Sequence, residues 1–208
     1  MSAASGITSS TELWYASRAT GIVSLLMLTG VVVLGVAVRK HGRLPGLPRF
    51  AVVGLHRSLS LLSVAFLVIH IVSAVADSYV NIRLADAIIP FAASYEPLWM
   101  GLGTVAFDLI LALIITSLLR ARIGHRTWRW VHWLAYISWP VAIAHSIGSS
   151  TDMQSGWLFG LWIACLLSVA GALAWRLAPG PDSIPRPARV SELFAQLRHG
   201  RTIESRRQ

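Results

Sequence analysis

Five long apolar stretches dominate the chain. They run from about Leu13 to Val38, Ala51 to Ala76, Leu98 to Leu119, Trp130 to Ile147 and Gly156 to Leu177. A helix that crosses the roughly 30 Å hydrocarbon layer needs about 20 predominantly apolar residues, and each stretch is near that length. Inside lipid the backbone polar groups must bond within their own segment, so helix is the conformation expected of all five. The expected fold class is all-α, an integral membrane bundle of five transmembrane helices. Composition agrees: 55% of the 208 residues are apolar and 13% are charged, a balance that belongs to membrane rather than soluble domains.

The net charge is +9. A basic balance can serve nucleic-acid binding, but here the charges sit in short runs between apolar stretches. The expected partner is the lipid bilayer, and no nucleic acid. Arg39, Lys40, Arg43 and Arg49 lie between the first two stretches, and Arg120, Arg122, Arg126 and Arg129 between the third and fourth. Arg176, Arg186, Arg189, Arg198, Arg201, Arg206 and Arg207 follow the fifth. The remaining connections carry Asp77, Arg83, Asp86 and Glu96, and Asp152 alone. Basic loops stay in the cytoplasm. The N-terminus is then outside and the C-terminus cytoplasmic, which requires an odd number of spans.

Residues 1–12 read as a short outer segment. It has no basic n-region, so the first stretch is expected to be retained rather than cleaved as a signal peptide. Residues 13–178 read as the membrane domain and 179–208 as a basic cytoplasmic tail. The tail opens with the proline-rich APGPDSIPRP, an extended linker. In VSELFAQLRHGR, Val190, Leu193, Phe194 and Leu197 share a helical face. That fits an amphipathic helix on the inner leaflet, with a frayed tail as the alternative. On the outer side Ile82, Leu84, Ala85, Ile88 and Ile89 suggest a short surface helix. Lys40 is the only lysine among 18 basic residues. That arginine excess is what a GC-rich genome encodes, so the expected location is a bacterial cytoplasmic membrane. Cys165 is the only cysteine, which excludes an intrachain disulfide, a thiolate cluster and covalent c-type haem attachment.

Seven histidines occur. His41, His125 and His199 fall in basic connections or the tail and read as solvated residues. His56 and His70 lie fourteen residues apart in the second stretch, and His132 and His145 thirteen apart in the fourth. At 1.5 Å per residue these separations are about 21 Å and about 20 Å along a helix. Both stretches enter from the cytoplasmic side in this topology. His56 and His132 then share the inner depth, and His70 and His145 the outer. Ionisable residues within a membrane are rare and mark function. Two imidazoles at one depth can fill both axial positions of a haem iron, an arrangement suited to electron transfer. The inner and outer rings are too far apart to share one ion. Satisfied core histidines are the alternative. Fourteen residues is just under four turns, so His56 and His70 share a face. Thirteen is about 3.6 turns, which sets His132 and His145 on different faces of an ideal helix. Pro140 lies between them and is the candidate for absorbing the mismatch.

The stretches HRSLSLLSVAFLVIH (His56 to His70) and HWLAYISWPVAIAH (His132 to His145) resemble the ferric reductase-like transmembrane domain. That domain is the membrane part shared by ferric reductases, NADPH oxidases and stand-alone bacterial relatives. SRATGIVSLL in the first stretch and RARIGHRTWRWVH before the fourth are similar to the stand-alone bacterial branch. The resemblance covers about Leu13 to Leu177. It implies two haem b groups, the inner on His56 and His132 and the outer on His70 and His145. Ferric reductases and NADPH oxidases continue into flavin and nicotinamide domains. Here about 30 residues follow the fifth stretch, with no glycine-rich fingerprint, so a separate electron donor is implied.

Other residues fit around this reading. Arg57 and Arg129 are at the depth of inner haem propionates and Arg18 at that of the outer ones, with interfacial snorkelling as the alternative. Trp128 and Trp130 suit the interfacial belt, while Trp133 and Trp139 lie deeper and are expected to line haem pockets. Asp108, in mid-span, is a candidate buried polar relay or a structural hydrogen-bonding group, since a charged acid there costs about 2.5–3.5 kcal/mol. Gly21, Gly101 and Gly103 permit close approach of a helix or haem.

The expected function is that of a di-haem b-type transmembrane electron-transfer protein, the membrane haem subunit of an oxidoreductase. It would pass electrons from a cytoplasmic-side donor, a separate flavin- or NAD(P)H-dependent reductase or a quinol, to an outer acceptor such as ferric iron or a flavoprotein. One alternative is a haem subunit serving an envelope flavoprotein or methionine sulfoxide reductase system. Another, of a different class, is a haem-free membrane scaffold or transporter.

Overall fold

The computed structural model describes residues 2–39, 47–77, 80, 82–150 and 156–178, with side chains from residue 11 onward. The chain divides into two units, Met1–Arg176 and Leu177–Gln208. Of the second, only Leu177 and Ala178 are among the described residues. The expected tail helix, His41 and His199 therefore lie outside them.

The architecture is all-helical. In chain order the helices are α1 (Ser2–Arg39), α2 (Arg49–Ala76), α3 (Pro97–Leu118), α4 (Arg120–Ile123), α5 (His125–His132), α6 (Ala135–Gly148) and α7 (Gly156–Leu177). A 3₁₀ turn, Leu84–Ala87, lies between α2 and α3. Four helical segments are long and apolar enough to cross a bilayer: Thr11–Arg39, Arg49–Ala76, Pro97–Leu118 and Gly156–Leu177. The chain is a multi-pass membrane protein. α1 begins at Ser2, so the polar segment ahead of the first apolar stretch continues the same helix.

The fourth apolar stretch is not one continuous helix. It is divided between α5 and α6, with Trp133 and Leu134 in a turn between them. α6 has 14 residues, a length of about 21 Å. Pro140 sits inside α6. It has no N–H for the carbonyl of Tyr136, and its ring crowds that carbonyl. The backbone tightens in the turn before it. Trp133, Leu134, Tyr136 and Ile137 each donate an N–H to the carbonyl three residues back, at 3.2, 2.9, 3.0 and 2.9 Å. A three-residue turn winds about 20° more per residue than an α-helix. That is the sense needed to bring His132 round towards the face of His145. The adjustment lies upstream of Pro140 rather than at it.

α1 and α2 pack along their lengths, α3 packs along α6, and α1 also touches α6. Leu25 and Val32 of α1, Trp139 and Ile143 of α6 and Trp162, Cys165 and Val169 of α7 form the buried core. Lipid tails are as apolar as leucine, so dispersion and interhelical hydrogen bonds hold such a core. The Trp139 indole N–H donates to Thr29 Oγ1 at 3.0 Å, and that of Trp162 to Ser146 Oγ at 3.2 Å. On α2, Leu61, Val68, Ile69 and Val72 are exposed, on the side of the helix away from His56 and His70, as a lipid-facing surface requires.

In the connection from α2 to α3, the 3₁₀ turn packs against α3 and α2. The expected surface helix is present as the short 3₁₀ turn, with Leu84, Ile88 and Ile89 exposed. Arg83 donates to both oxygens of the buried Asp86 carboxylate, and those bonds hold its carboxyl below the ordinary carboxylate range. Thr104 Oγ1 donates to the Asp86 carbonyl at 2.8 Å, which ties the turn to α3. Phe91 takes a left-handed backbone, φ 64°. Its ring lies where a Cβ on Gly101 would be, 2.1 Å away, so Gly101 serves this loop contact.

Candidate functional site

The four histidines of α2, α5 and α6 meet in the pairs that their spacing predicts. The rings of His56 and His132 have centroids 6.5 Å apart and planes at 70°. Those of His70 and His145 lie 6.4 Å apart, also at 70°. Imidazoles on opposite sides of one metal, each bonded at about 2 Å and with about 1 Å more to the ring centre, have centroids about 6 Å apart. Both pairs fit that separation, and each fits the donor set of a six-coordinate haem. Among the described residues no group of three or more His, Cys, Asp and Glu converges, so the donor sets are pairs.

Three of the four rings are held by the same local device. His70 Nδ1–H donates to the carbonyl of Ser17 at 2.7 Å, and the Nδ1–Cε1 edge of the ring lies 2.9 Å from where a Cβ on Gly21 would stand. His56 Nδ1–H donates to the carbonyl of Val31 at 3.0 Å, and its Cε1 lies 3.3 Å from a Cβ on Gly35. His145 Nδ1–H donates to the carbonyl of Trp99 at 2.7 Å, and its Cε1 lies 2.7 Å from a Cβ on Gly103. Each cradle is a carbonyl followed, one helical turn later on the same face, by a glycine. A carbonyl oxygen only accepts, so each Nδ1 carries the proton. Nε2 then keeps its lone pair for a metal, and the bonded Nδ1–H fixes the ring and raises its basicity as a ligand.

α1 supplies two of the cradles. Ser17 and Val31 are fourteen residues apart, as are Gly21 and Gly35 and as are His70 and His56. Two antiparallel helices of equal rise keep that match along their length. α3 supplies the third cradle and no fourth. One repeat beyond Trp99 and Gly103 it carries Thr116 and Ser117 instead of glycine. The Thr116 hydroxyl donates to the carbonyl of Ala112 at 2.7 Å. His132 Nδ1 is the one buried side-chain nitrogen or oxygen that lacks a hydrogen-bond partner among the described residues. The ring stacks on Trp128 instead, with centroids 4.9 Å apart and planes at 29°.

A cavity of about 290 Å³ opens beside His70 and His145. Arg18, Asp77 and Tyr95 contribute polar groups to it, and Leu67, Phe107 and Ile110 apolar ones. Arg18 brings a cation to this cavity, and its guanidinium carbon lies 4.6 Å from the Trp14 ring centre. Arg57 and Arg129 are exposed on α2 and α5. Trp139 is buried in the α1–α6–α7 core and does not line the cavity. Trp133 is half-exposed, with the guanidinium carbons of Arg39 and Arg176 at 5.0 and 5.2 Å from its ring centre. Asp108 is half-buried on α3 and bonds to no histidine among the described residues. The cradle carbonyls and Gly35 were not expected from the sequence. The fourteen-residue echo of the glycines on α1 is the signal that would have found Gly35.

A family model, the ferric reductase like transmembrane component, matches residues 20–143. No curated protein and no solved structure matches the chain.

Proposed function

Since the chain belongs to the ferric reductase-like transmembrane family, with a membrane electron-transfer role, we propose that it binds two haem b groups, one between His56 and His132 and one between His70 and His145. The observation that carries this reading is the pair of ring separations, 6.5 and 6.4 Å, joined to Nδ1 tethers that leave Nε2 free. Bound haem would supply one-electron chemistry without proton transfer to the metal. The residues of the chain do the rest. Ser17, Val31 and Trp99 fix tautomers through their carbonyls, and the glycines let the rings approach the helices. Arg18 provides positive charge beside the cavity, and the apolar spans exclude water.

In this reading the α5–α6 unit completes a fifth crossing, with the N-terminus outside and the C-terminus in the cytoplasm, in a bacterial cytoplasmic membrane. His56 and His132 then lie towards the cytoplasm. A separate flavin- or NAD(P)H-dependent reductase, or a quinol, delivers electrons there. Ferric iron or a flavoprotein accepts them on the other side. Arg57 and Arg129 serve the cytoplasmic-side site from the membrane surface.

The test is a reduced-minus-oxidised spectrum of the purified full chain, with haem counted as the pyridine haemochrome. About two b-type haems per chain are expected, falling to about one in His70→Ala and in His132→Ala. A protein that stays colourless when made with excess haem would sink the reading and leave a membrane scaffold or transporter.

A further inference from the structure

His132 is the ring without a cradle, and its surroundings show what stands in. Trp128, one turn earlier on α5, stacks on it. The Trp128 indole N–H donates to Ser117 Oγ of α3 at 3.2 Å. The Arg120 guanidinium carbon lies 5.4 Å from the Trp128 ring centre, and His125 packs edge-on at 5.3 Å. Trp128 is thus fixed from α3, α4 and α5, and it presents a flat face to His132. A stacked indole sets the plane of an imidazole but accepts nothing from Nδ1.

We propose that Trp128, anchored by Ser117, is the positioning residue for His132, and that the His56/His132 site therefore has the more positive reduction potential of the two. This rests on the haem reading above. A carbonyl bonded to Nδ1–H pushes electron density towards Nε2, which favours the oxidised state of a metal bound there. The His70/His145 site has that support on both ligands, the His56/His132 site on one. Charge acts in the same sense. At His70 and His145 the Asp77 and Asp86 carboxylates are offset by Arg18, which lines the cavity with them, and by Arg83, which pairs with Asp86. Beside His132 the Arg39 guanidinium carbon lies 5.0 Å from the ring centre of Trp133, and the chain has no acidic residue between Asp108 and Asp152. An electron shared between the sites then rests at His56/His132.

The experiment is a spectroelectrochemical titration of the purified full chain, following the reduced b-type absorbance. Two components should appear, with the His56/His132 site favoured at least tenfold for the electron, which is about 59 mV for a one-electron couple. His132→Ala should remove the upper component and His145→Ala the lower. Trp128→Leu should move or broaden the upper component alone, Ser117→Ala should do so less, and Trp128→Phe, which keeps a stacking face, least. Loss of the lower component in His132→Ala, coincident potentials, or a Trp128→Leu titration identical to wild type would overturn the proposal. A colourless wild-type protein would remove the haem reading itself, a result distinct from coloured protein with the wrong order.

Discussion

The α1–α2 half and the α3–α5–α6 half solve the same problem with different success. Each must hold two imidazoles about 20 Å apart. α1 and α2 carry no proline within the helix, and a motif that works once, carbonyl then glycine, works again fourteen residues on. The other half holds His145 in the same way, with a tighter fit than either cradle of α1. It then breaks at Trp133 and Leu134, its histidines are thirteen apart, and α3 offers Thr116 and Ser117 where the glycine would stand. Uninterrupted helices can reuse a cradle; a broken one needs a second device.

Substitutions can break this contrast. Gly103→Ala puts a Cβ 2.7 Å from His145, and overpacking of that kind costs about 1–3 kcal/mol. Haem at His70/His145 should fall most here, read as the loss of one component in the haemochrome count. Pro140→Ala restores the missing N–H and relaxes the tight turn. His132 should rotate away from its partner, lowering occupancy at His56/His132 while the other site persists; equal loss at both would show that Pro140 does not set the winding. Gly35→Ala adds a Cβ 3.3 Å from His56, and a shift of a few tenths of an ångström accommodates it. Its melting temperature should drop less than that of Gly21→Ala, where the distance is 2.9 Å. A larger drop would show that the closeness of the ring to the added Cβ does not set the cost.

The smallest effect lies outside both halves. Arg83 holds the Asp86 carboxyl below its ordinary value of 3.8. A group depressed on folding contributes stability above its unfolded pKa and loses it as pH falls through the folded one. Melting curves between about pH 5 and pH 2 should therefore fall less steeply in Asp86→Asn than in wild type. Parallel curves would show that the pair does not contribute.

Much of the candidate site was legible in the sequence because helical rise converts spacing into depth. Fourteen and thirteen residues in two apolar stretches sufficed to pair His56 with His132 and His70 with His145. Gly21 and Gly103 stood out as small residues in apolar surroundings. The acceptors of the Nδ1 bonds did not, because a backbone carbonyl has no residue signature and Ser17, Val31 and Trp99 share nothing else. Hydropathy merged α5 and α6, since Trp133 and Leu134 are apolar and only hydrogen bonding separates them. Trp133 and Trp139 were expected in haem pockets on depth alone. Trp139 needed an acceptor for its buried N–H and found Thr29, whereas Trp133 settled beside two guanidinia near the ends of α1 and α7.

α1 contributes no candidate ligand, yet both rings of α2 bond to it. One residue inserted between Gly21 and Val31 would turn the second cradle by about 100° and displace it by about 1.5 Å relative to the first. Either His56 or His70 would lose its tether, whatever residue was added. The stretch from Ser17 to Gly35 is thus the part of the chain where drift in length is least survivable. Among relatives that keep both histidines of α2, gaps should be rarer there than in the connections, even where side chains differ.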